Sequence, residues 1–184
     1  MKVETTALPG LLLIKPDVFG DSRGSFFETW NRQRYAAAGL DAQFVQDNVS
    51  LSRQGILRGL HFQNPQSQGK LVQALQGEVF DVAVDIRRGS PTFGRWYGCT
   101  LSDQNRLQLY VPAGFAHGFC VTSDTALFAY KCTDFYNPQT EFSLKWDDPG
   151  IGIDWPVRKP ELSGKDAAGW LLADFPAAKL PNYQ

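Results

Sequence analysis

The sequence predicts an all-β fold, an antiparallel double-sheet sandwich or barrel, and three observations carry that reading. From Phe44 to Arg106 short β-like runs are separated by Gly, Pro, Asn or Ser, with none of the intervening amphipathic helices that a parallel sheet needs. Phe80, Val82, Val84 and Ile86 alternate with Asp81, Ala83 and Asp85, the period of a strand. Aromatic residues make up 13% of the 184 residues, so the core is expected to be aromatic.

In chain order, Leu11-Leu12-Leu13-Ile14 between Pro9 and Pro16 reads as a first strand, and the Gly- and Asp-rich stretch from Asp17 to Gly24 as a loop. Strand character resumes over Phe26–Trp30. Asn31 then caps a short helix through Ala36-Ala37-Ala38 that stops at Gly39. After the central β run, further strands are expected at Leu107–Val111, Gly118–Val121 and Ala126–Thr133. The last part changes character: Trp146–Gly150 and Asp154-Trp155-Pro156 read as turns, and a helix is expected over Lys165–Ala173 behind a Ser163 cap. No repeat, low-complexity run or linker divides the chain, so residues 1–184 are read as a single domain.

The composition, with 43% hydrophobic and 20% charged residues, is that of an ordinary globular protein. A net charge of −1 supplies no general attraction for nucleic acid or anionic membrane, so neither is expected as a partner. An anionic ligand would have to be held by a few placed cations. Cys99, Cys120 and Cys132 are odd in number, lack Cys-x-x-Cys spacing and fall in strand-like segments, which points to a reducing compartment, the cytoplasm. The start of the chain has no cationic segment followed by an apolar run, and no stretch reaches the roughly 20 apolar residues of a membrane span.

His61 and His117 are the only two histidines. Imidazole is the best general base at neutral pH and also the commonest metal ligand, so the choice between those roles decides much of the function. Pro112-x-Gly114-x-x-His117 resembles the second signature motif of the cupin superfamily, in which a tight turn aims a histidine into a double-sheet barrel. Metal-binding cupins draw three or more protein ligands from their motifs. With two histidines, a metal site would need Glu78 or an aspartate in a place the motif does not supply, so no metal is expected. For His117, ligand contact and a structural buried histidine are equally compatible with the residues. His61, between Arg58 and Gln63, reads as functional.

Arg58-Gly59-Leu60-His61-Phe62-Gln63, Gly69-Lys70-Leu71-Val72, Asp81–Arg87, Ser90-Pro91-Thr92-Phe93-Gly94 and Pro112–Phe119 together resemble the dTDP-4-dehydrorhamnose 3,5-epimerase family. The resemblance continues upstream through Asp21-x-Arg23-Gly24-x-Phe26-x-Glu28 and Gln46–Ser50. Downstream it takes in Tyr130-Lys131-x-Thr133-x-x-Tyr136-x-Pro138, Trp146-x-Asp148-Pro149, Ile153-x-Trp155-Pro156 and Leu162-Ser163-x-Lys165-Asp166. It thus spans nearly the whole chain in one order. What it implies is a cupin-type double-sheet jelly-roll barrel with short flanking helices, and a cofactor-independent isomerase of the dTDP-L-rhamnose route. Such an enzyme moves the protons at C3 and C5 of dTDP-4-dehydro-6-deoxy-D-glucose, each acidified by the C4 ketone.

By this resemblance His61 is the base, Asp166 orients it, Tyr130 is the acid on the opposite face and Lys70 stands by the enolate oxygen. Read without it, Tyr130 is core, Lys70 is surface and Asp166 is a charge in the first turn of a helix. Arg23 and Arg58, each beside a glycine, match the diphosphate contacts and otherwise read as surface ion pairs. Tyr136 matches the residue that stacks on thymine. Phe19, Glu28, Gln46, Asn48, His117, Glu141 and Lys165 match other nucleotide or sugar contacts. The resemblance further implies a homodimer with shared active sites, the N-terminal strands crossing so that Arg23 and Glu28 reach the neighbour's site. One departure stands out: Gly169-Trp170 occupies the place where many relatives have a proline, so the packing of the last helix is expected to differ.

Three rival readings remain. A relative that acts on one carbon only would share the same base and acid. A metal-dependent cupin oxygenase rests on the His117 motif alone. A non-catalytic sugar-nucleotide-binding barrel would keep Arg23, Arg58 and Tyr136 while losing the chemistry.

Overall fold

The computed structural model describes residues 1–183 as two packed antiparallel sheets with a small hairpin and short helices at their edges. The strands are β1 (Lys2–Thr5), β2 (Leu12–Lys15), β3 (Val18–Asp21), β4 (Gly24–Phe27), β5 (Gln46–Arg53), β6 (Leu57–Gln63) and β7 (Lys70–Gln76). They continue as β8 (Glu78–Asp85), β9 (Trp96–Ser102), β10 (Gln108–Val111), β11 (Phe115–Val121), β12 (Thr125–Cys132) and β13 (Glu141–Ser143). Helix α1 is Arg32–Ala37 and α2 is Gly164–Ala167. One sheet runs β1-β2-β10-β7-β12-β5 and the other β13-β6-β11-β8-β9, while β3 and β4 form the hairpin. The expected all-β jelly-roll barrel is what the chain forms.

The core between the sheets is apolar and partly aromatic. Val72, Leu109 and Phe128 from the six-stranded sheet meet Val79, Ala83 and Phe119 from the five-stranded one. Phe128 is fully buried and stacks on Phe119 at 4.1 Å between ring centroids. Burial of such a side chain stabilises by about 1.5–3 kcal/mol. A second apolar cluster lies on the other face of the five-stranded sheet. There Val82, Val84 and Ile86 are covered by Leu144, Ile151, Trp155, Phe175 and Leu180 of the C-terminal segment.

This second cluster corrects the simplest reading of the alternation in β8. An apolar-in, polar-out strand would put Asp81 and Asp85 in water, yet both are fully buried. Because the C-terminal segment covers the valine face, the face carrying the aspartates turns inward, alongside Val79 and Ala83.

Other differences are local. The stretch expected as a loop from Asp17 to Gly24 contains β3, paired with β4 through Val18↔Phe27 and Phe19↔Phe26. Helix α1 forms as expected, with the Asn31 side chain accepting from the Arg34 N–H at 3.1 Å. The helix expected over Lys165–Ala173 is only the single turn of α2. Its Ser163 cap is in place, but the chain leaves the helix at Gly169 to run beside Leu144. Trp170 N–H donates to the Ser143 carbonyl (3.0 Å) and Lys145 N–H to the Trp170 carbonyl (2.7 Å). A Cβ at Gly169 would lie 2.7 Å from the Leu144 carbonyl carbon and oxygen, so this approach requires glycine.

Candidate active site

The site is built on β6 and β11, neighbouring strands of the five-stranded sheet. A Cβ on Gly59 of β6 would fall 2.5 Å from the Gly118 Cα of β11, so the absence of side chains lets these strands close together. His61 and His117 are direct cross-strand partners in that pair. His117 is thus a residue of β11, three positions beyond the Pro112–Gly114 turn and not on it. Facing them across the barrel are Lys70, the first residue of β7, and Tyr130 of β12, both in the six-stranded sheet.

Between the two sheets lies a cavity of about 330 Å³. It is lined by Arg58, His61, Lys70, His117, Tyr130, Glu141, Lys165 and Asp166, together with Ser50, Phe119, Phe128 and Ser163. Eight of the residues expected from the sequence therefore converge on one space, large enough for a small-molecule site.

His61 Nε2 lies 2.5 Å from Asp166 Oδ1. Asp166 is brought there by α2, where its own backbone N–H donates to Ser163 Oγ at 3.1 Å. Burial alone would raise the carboxyl pKa of Asp166. The hydrogen bond and charge of His61, with help from Ser163 and Lys165, outweigh it and hold the group below the usual carboxylate range. An ionised carboxylate can only accept, so His61 Nε2 is the donor in this bond. Nδ1 is then the bare nitrogen of His61. It has no hydrogen-bond partner among the described residues and is not sealed off from the cavity.

The second histidine makes a parallel arrangement. His117 Nε2 lies 3.0 and 2.9 Å from the two carboxylate oxygens of Asp81, a residue to which the sequence reading gave no role. Only its place in β8, with the inward turn of that strand, brings it behind His117.

The remaining groups are shifted by their surroundings. Burial lowers the pKa of Lys70, partly countered by the negative charges of Glu141 and Asp81. Burial also raises that of Tyr130, and the charge of Glu141 adds to this. For Glu141 burial acts upward, but Lys165 and Tyr136 bind its carboxylate and the net shift is downward. Tyr136 OH donates to Glu141 Oε2 at 2.8 Å, and its backbone N–H donates to Gln46 Oε1 at 2.9 Å. Gln46 in turn donates to Asn48 Oδ1 at 3.0 Å, and Asn48 reaches Cys132 Sγ at 3.7 Å. Gln46, Asn48 and Tyr136 thus form a linked set joined to the cavity through Glu141. Arg58 Nε donates to Ser52 Oγ at 3.1 Å.

Three expected residues are not brought to this cavity within one chain. Phe19 and Glu28 line a separate space of about 440 Å³ with Phe26 and Arg34, and Glu28 Oε2 accepts from Arg34 at 2.9 Å. Arg23 sits in the hairpin turn, 88% exposed, paired with Asp21 at 2.6 Å. Among the described residues no group of three His, Cys, Asp or Glu side chains is placed to hold a metal ion, and no helix is long and apolar enough to cross a membrane.

Fold and cavity define the class: a cupin-type barrel with an imidazole–carboxylate pair facing a phenol and an ammonium in its interior. The family model for dTDP-4-dehydrorhamnose 3,5-epimerase matches residues 5–174. A relative of that name from Pseudomonas aeruginosa is 54% identical over 176 residues, covering 95% of this chain and 97% of its own length. One from Neisseria gonorrhoeae is 55% identical over 185 residues, 99% of this chain, which spans only 56% of that longer protein. The crystal structure of a dTDP-6-deoxy-D-glucose-3,5-epimerase from Legionella pneumophila in complex with dTDP-4-keto-L-rhamnose superposes with a TM-score of 0.96. It is 53% identical, and the match covers 100% of this chain and 98% of that one. The chain belongs to the dTDP-4-dehydrorhamnose 3,5-epimerase family.

Proposed function

We propose that this chain, acting as one domain over residues 1–184, epimerises dTDP-4-dehydro-6-deoxy-D-glucose at C3 and C5 to give dTDP-4-dehydro-L-rhamnose. The observation that carries the reading is the opposition of His61–Asp166, on one side of the cavity, to Tyr130 and Lys70 in the facing sheet. An α-proton removed on one face of a sugar ring and returned on the other inverts the carbon, and this arrangement supplies a group for each face.

His61 Nδ1 takes the proton from C3 or C5, and the C–H electron pair moves into the C4 carbonyl to leave an enolate. Asp166, held ionised, stabilises the imidazolium that forms and keeps the ring in one orientation. Lys70 stands at the enolate oxygen, where burial makes its ammonium a stronger hydrogen-bond donor. Tyr130, whose proton is held more tightly than in water, delivers it to the opposite face as the enolate collapses back to the ketone. Exchange with solvent then reloads Tyr130 and discharges His61.

Arg58 and Lys165 bind the diphosphate and sugar end of the substrate, and Tyr136, held by Glu141, stacks on the thymine with Gln46 and Asn48 beside it. Phe19, Arg23 and Glu28 serve the site of a second copy in a homodimer. The hairpin that bears them exposes Phe19 and Phe26, and edge strand β5 exposes Val49 and Leu51, an apolar surface suited to such an interface. The free thiols of Cys99, Cys120 and Cys132 support a cytoplasmic setting.

Incubation with the substrate in deuterated water is expected to place deuterium at both C3 and C5. Incorporation at neither carbon refutes the reading, and incorporation at one selects a single-carbon epimerase.

A further inference from the structure

Asp81 has no part in the proton transfers described above, yet its setting is unusual. It is fully buried on β8, and both of its carboxylate oxygens face a single donor, His117 Nε2. The contrast with Asp85 on the same strand is informative. Asp85 is equally buried, but Arg87, Ser90 and Thr92 all donate to it, which is how a purely structural carboxylate is satisfied. Asp81 spends its hydrogen-bonding capacity on one imidazole that lines the cavity.

This has a consequence for His117. Nε2 lies within hydrogen-bond distance of both carboxylate oxygens of Asp81, and an ionised carboxylate can only accept, so the ring nitrogen is the donor. In the neutral ring Nδ1 is then an acceptor. Nδ1 makes no hydrogen bond among the described residues and is not sealed within the core. Its ring lies nearly parallel to that of Phe128, at 6.4 Å between centroids. The cavity is otherwise rich in donors, from Lys70, Arg58, Lys165 and Tyr130. These suit phosphate, ketone and enolate oxygens, while the carboxylates on the same wall, Glu141 and Asp166, are already engaged by Lys165 and Tyr136 and by His61, which leaves His117 Nδ1 as an acceptor not committed to another residue.

We propose that Asp81 is a positioning residue that commits His117 to the Nε2–H tautomer, so that its Nδ1 accepts a hydrogen bond from a ring hydroxyl of the bound sugar and makes His117 a reader of that hydroxyl. The substrate in this inference rests on the proposed function; the tautomer does not. A buried acceptor left unpaired by a deoxy sugar costs about 1–3 kcal/mol, so discrimination of roughly 10–100-fold in kcat/KM is expected.

The chain's two histidines make a direct test practical. Nitrogen-15 NMR of the histidine-labelled wild-type protein, assigned with His61→Gln, should show His117 protonated at Nε2 and bare at Nδ1. A His117 ring protonated at Nδ1 overturns the proposal, whatever the enzyme's activity. Kinetics supply the second arm. With the 2-deoxy and 3-deoxy analogues of dTDP-4-keto-6-deoxyglucose, wild type should penalise at least one by roughly 10–100-fold. Asp81→Asn, which keeps the shape, should raise KM with little change in kcat and reduce that penalty severalfold. If Asp81→Asn remains folded and keeps the full penalty, or if wild type penalises neither analogue, the proposal fails. Should Asp81→Asn not fold, the tautomer measurement on the wild-type chain still decides.

Discussion

The two histidine–aspartate pairs share a pattern, a carboxylate at Nε2, and the proposed reading gives them different chemistry. In each, a carboxylate takes Nε2 and leaves Nδ1 to the cavity, and the two rings are cross-strand neighbours. They differ in burial and in where the aspartate comes from. The side chains of His61 and Asp166 are 26% and 4% exposed, those of His117 and Asp81 7% and 0%. Asp166 arrives on a one-turn helix of the C-terminal segment, whereas Asp81 belongs to the interior strand β8. A ring that must take up and release a proton needs water or a polar wall to support its charge, and His61 has it. A ring as buried as that of His117, with only Nδ1 left to the cavity, suits a fixed hydrogen-bond partner. On the proposed reading, the same residue pair serves as a base or a reader according to the solvent it keeps.

The largest expected effects fall on activity and separate the pairs. His61→Ala should lower kcat by about 10³-fold or more, and Asp166→Asn by about 10²-fold, because a positioned general base is worth about 10²–10⁴-fold. His117→Asn should cost no more than about 10–100-fold, most of it in KM. Steady-state kinetics with deuterium readout measures all three, and equal losses at the two histidines would erase the distinction.

Stability should run the other way. His117→Ala removes a buried ring and strands the Asp81 carboxylate, with an expected loss of about 3–5 kcal/mol, against about 1 kcal/mol for His61→Ala. Urea unfolding of the two variants compares them, and a larger loss at His61 would contradict the burial argument.

Gly169→Ala probes the aspartate that comes from the tail. Its methyl would press on the Leu144 backbone and push the Trp170 segment off its bridge, costing about 1–3 kcal/mol. Activity should fall with it, since Asp166 lies three residues earlier, while the NMR signals of His117 stay in place.

The smallest effect is on acid stability. The pKa of Asp166 is lower in the folded chain than in the unfolded one, so its contribution is present above the unfolded value of about 3.9 and is lost as pH falls through the folded value. As pH falls below about 4, the unfolded value, wild type should therefore lose stability more steeply than Asp166→Asn. Equal slopes would mean that Asp166 gains nothing from His61.

Much of this was legible in the residues, and the parts that were not share a cause. The strand pattern and the turns of Pro112–Gly114 announced a barrel, and the motif around Arg58–Gln63 singled out His61. Asp166 was found through resemblance alone, because its partner lies 105 positions away and no local pattern reports such a pairing. Asp81 was hidden by the alternation of β8. A period of two says that the faces differ, but which face meets water depends on Leu144, Trp155 and Phe175, far along the chain. The tail helix was overread because nothing local to Gly169 signals that an edge strand waits to capture Trp170. Arg23 and Glu28 lie outside the cavity of one chain because their proposed target is on another.

The central claim, that proton transfer belongs to His61 while His117 holds the sugar, is tested most directly by deuterium exchange under saturating substrate. His61→Asn and His117→Asn would be compared with wild type, position by position on the sugar. The account predicts that His61→Asn loses exchange at both C3 and C5, while His117→Asn keeps both once substrate is saturating. Exchange at either carbon surviving at the wild-type rate in His61→Asn would contradict it.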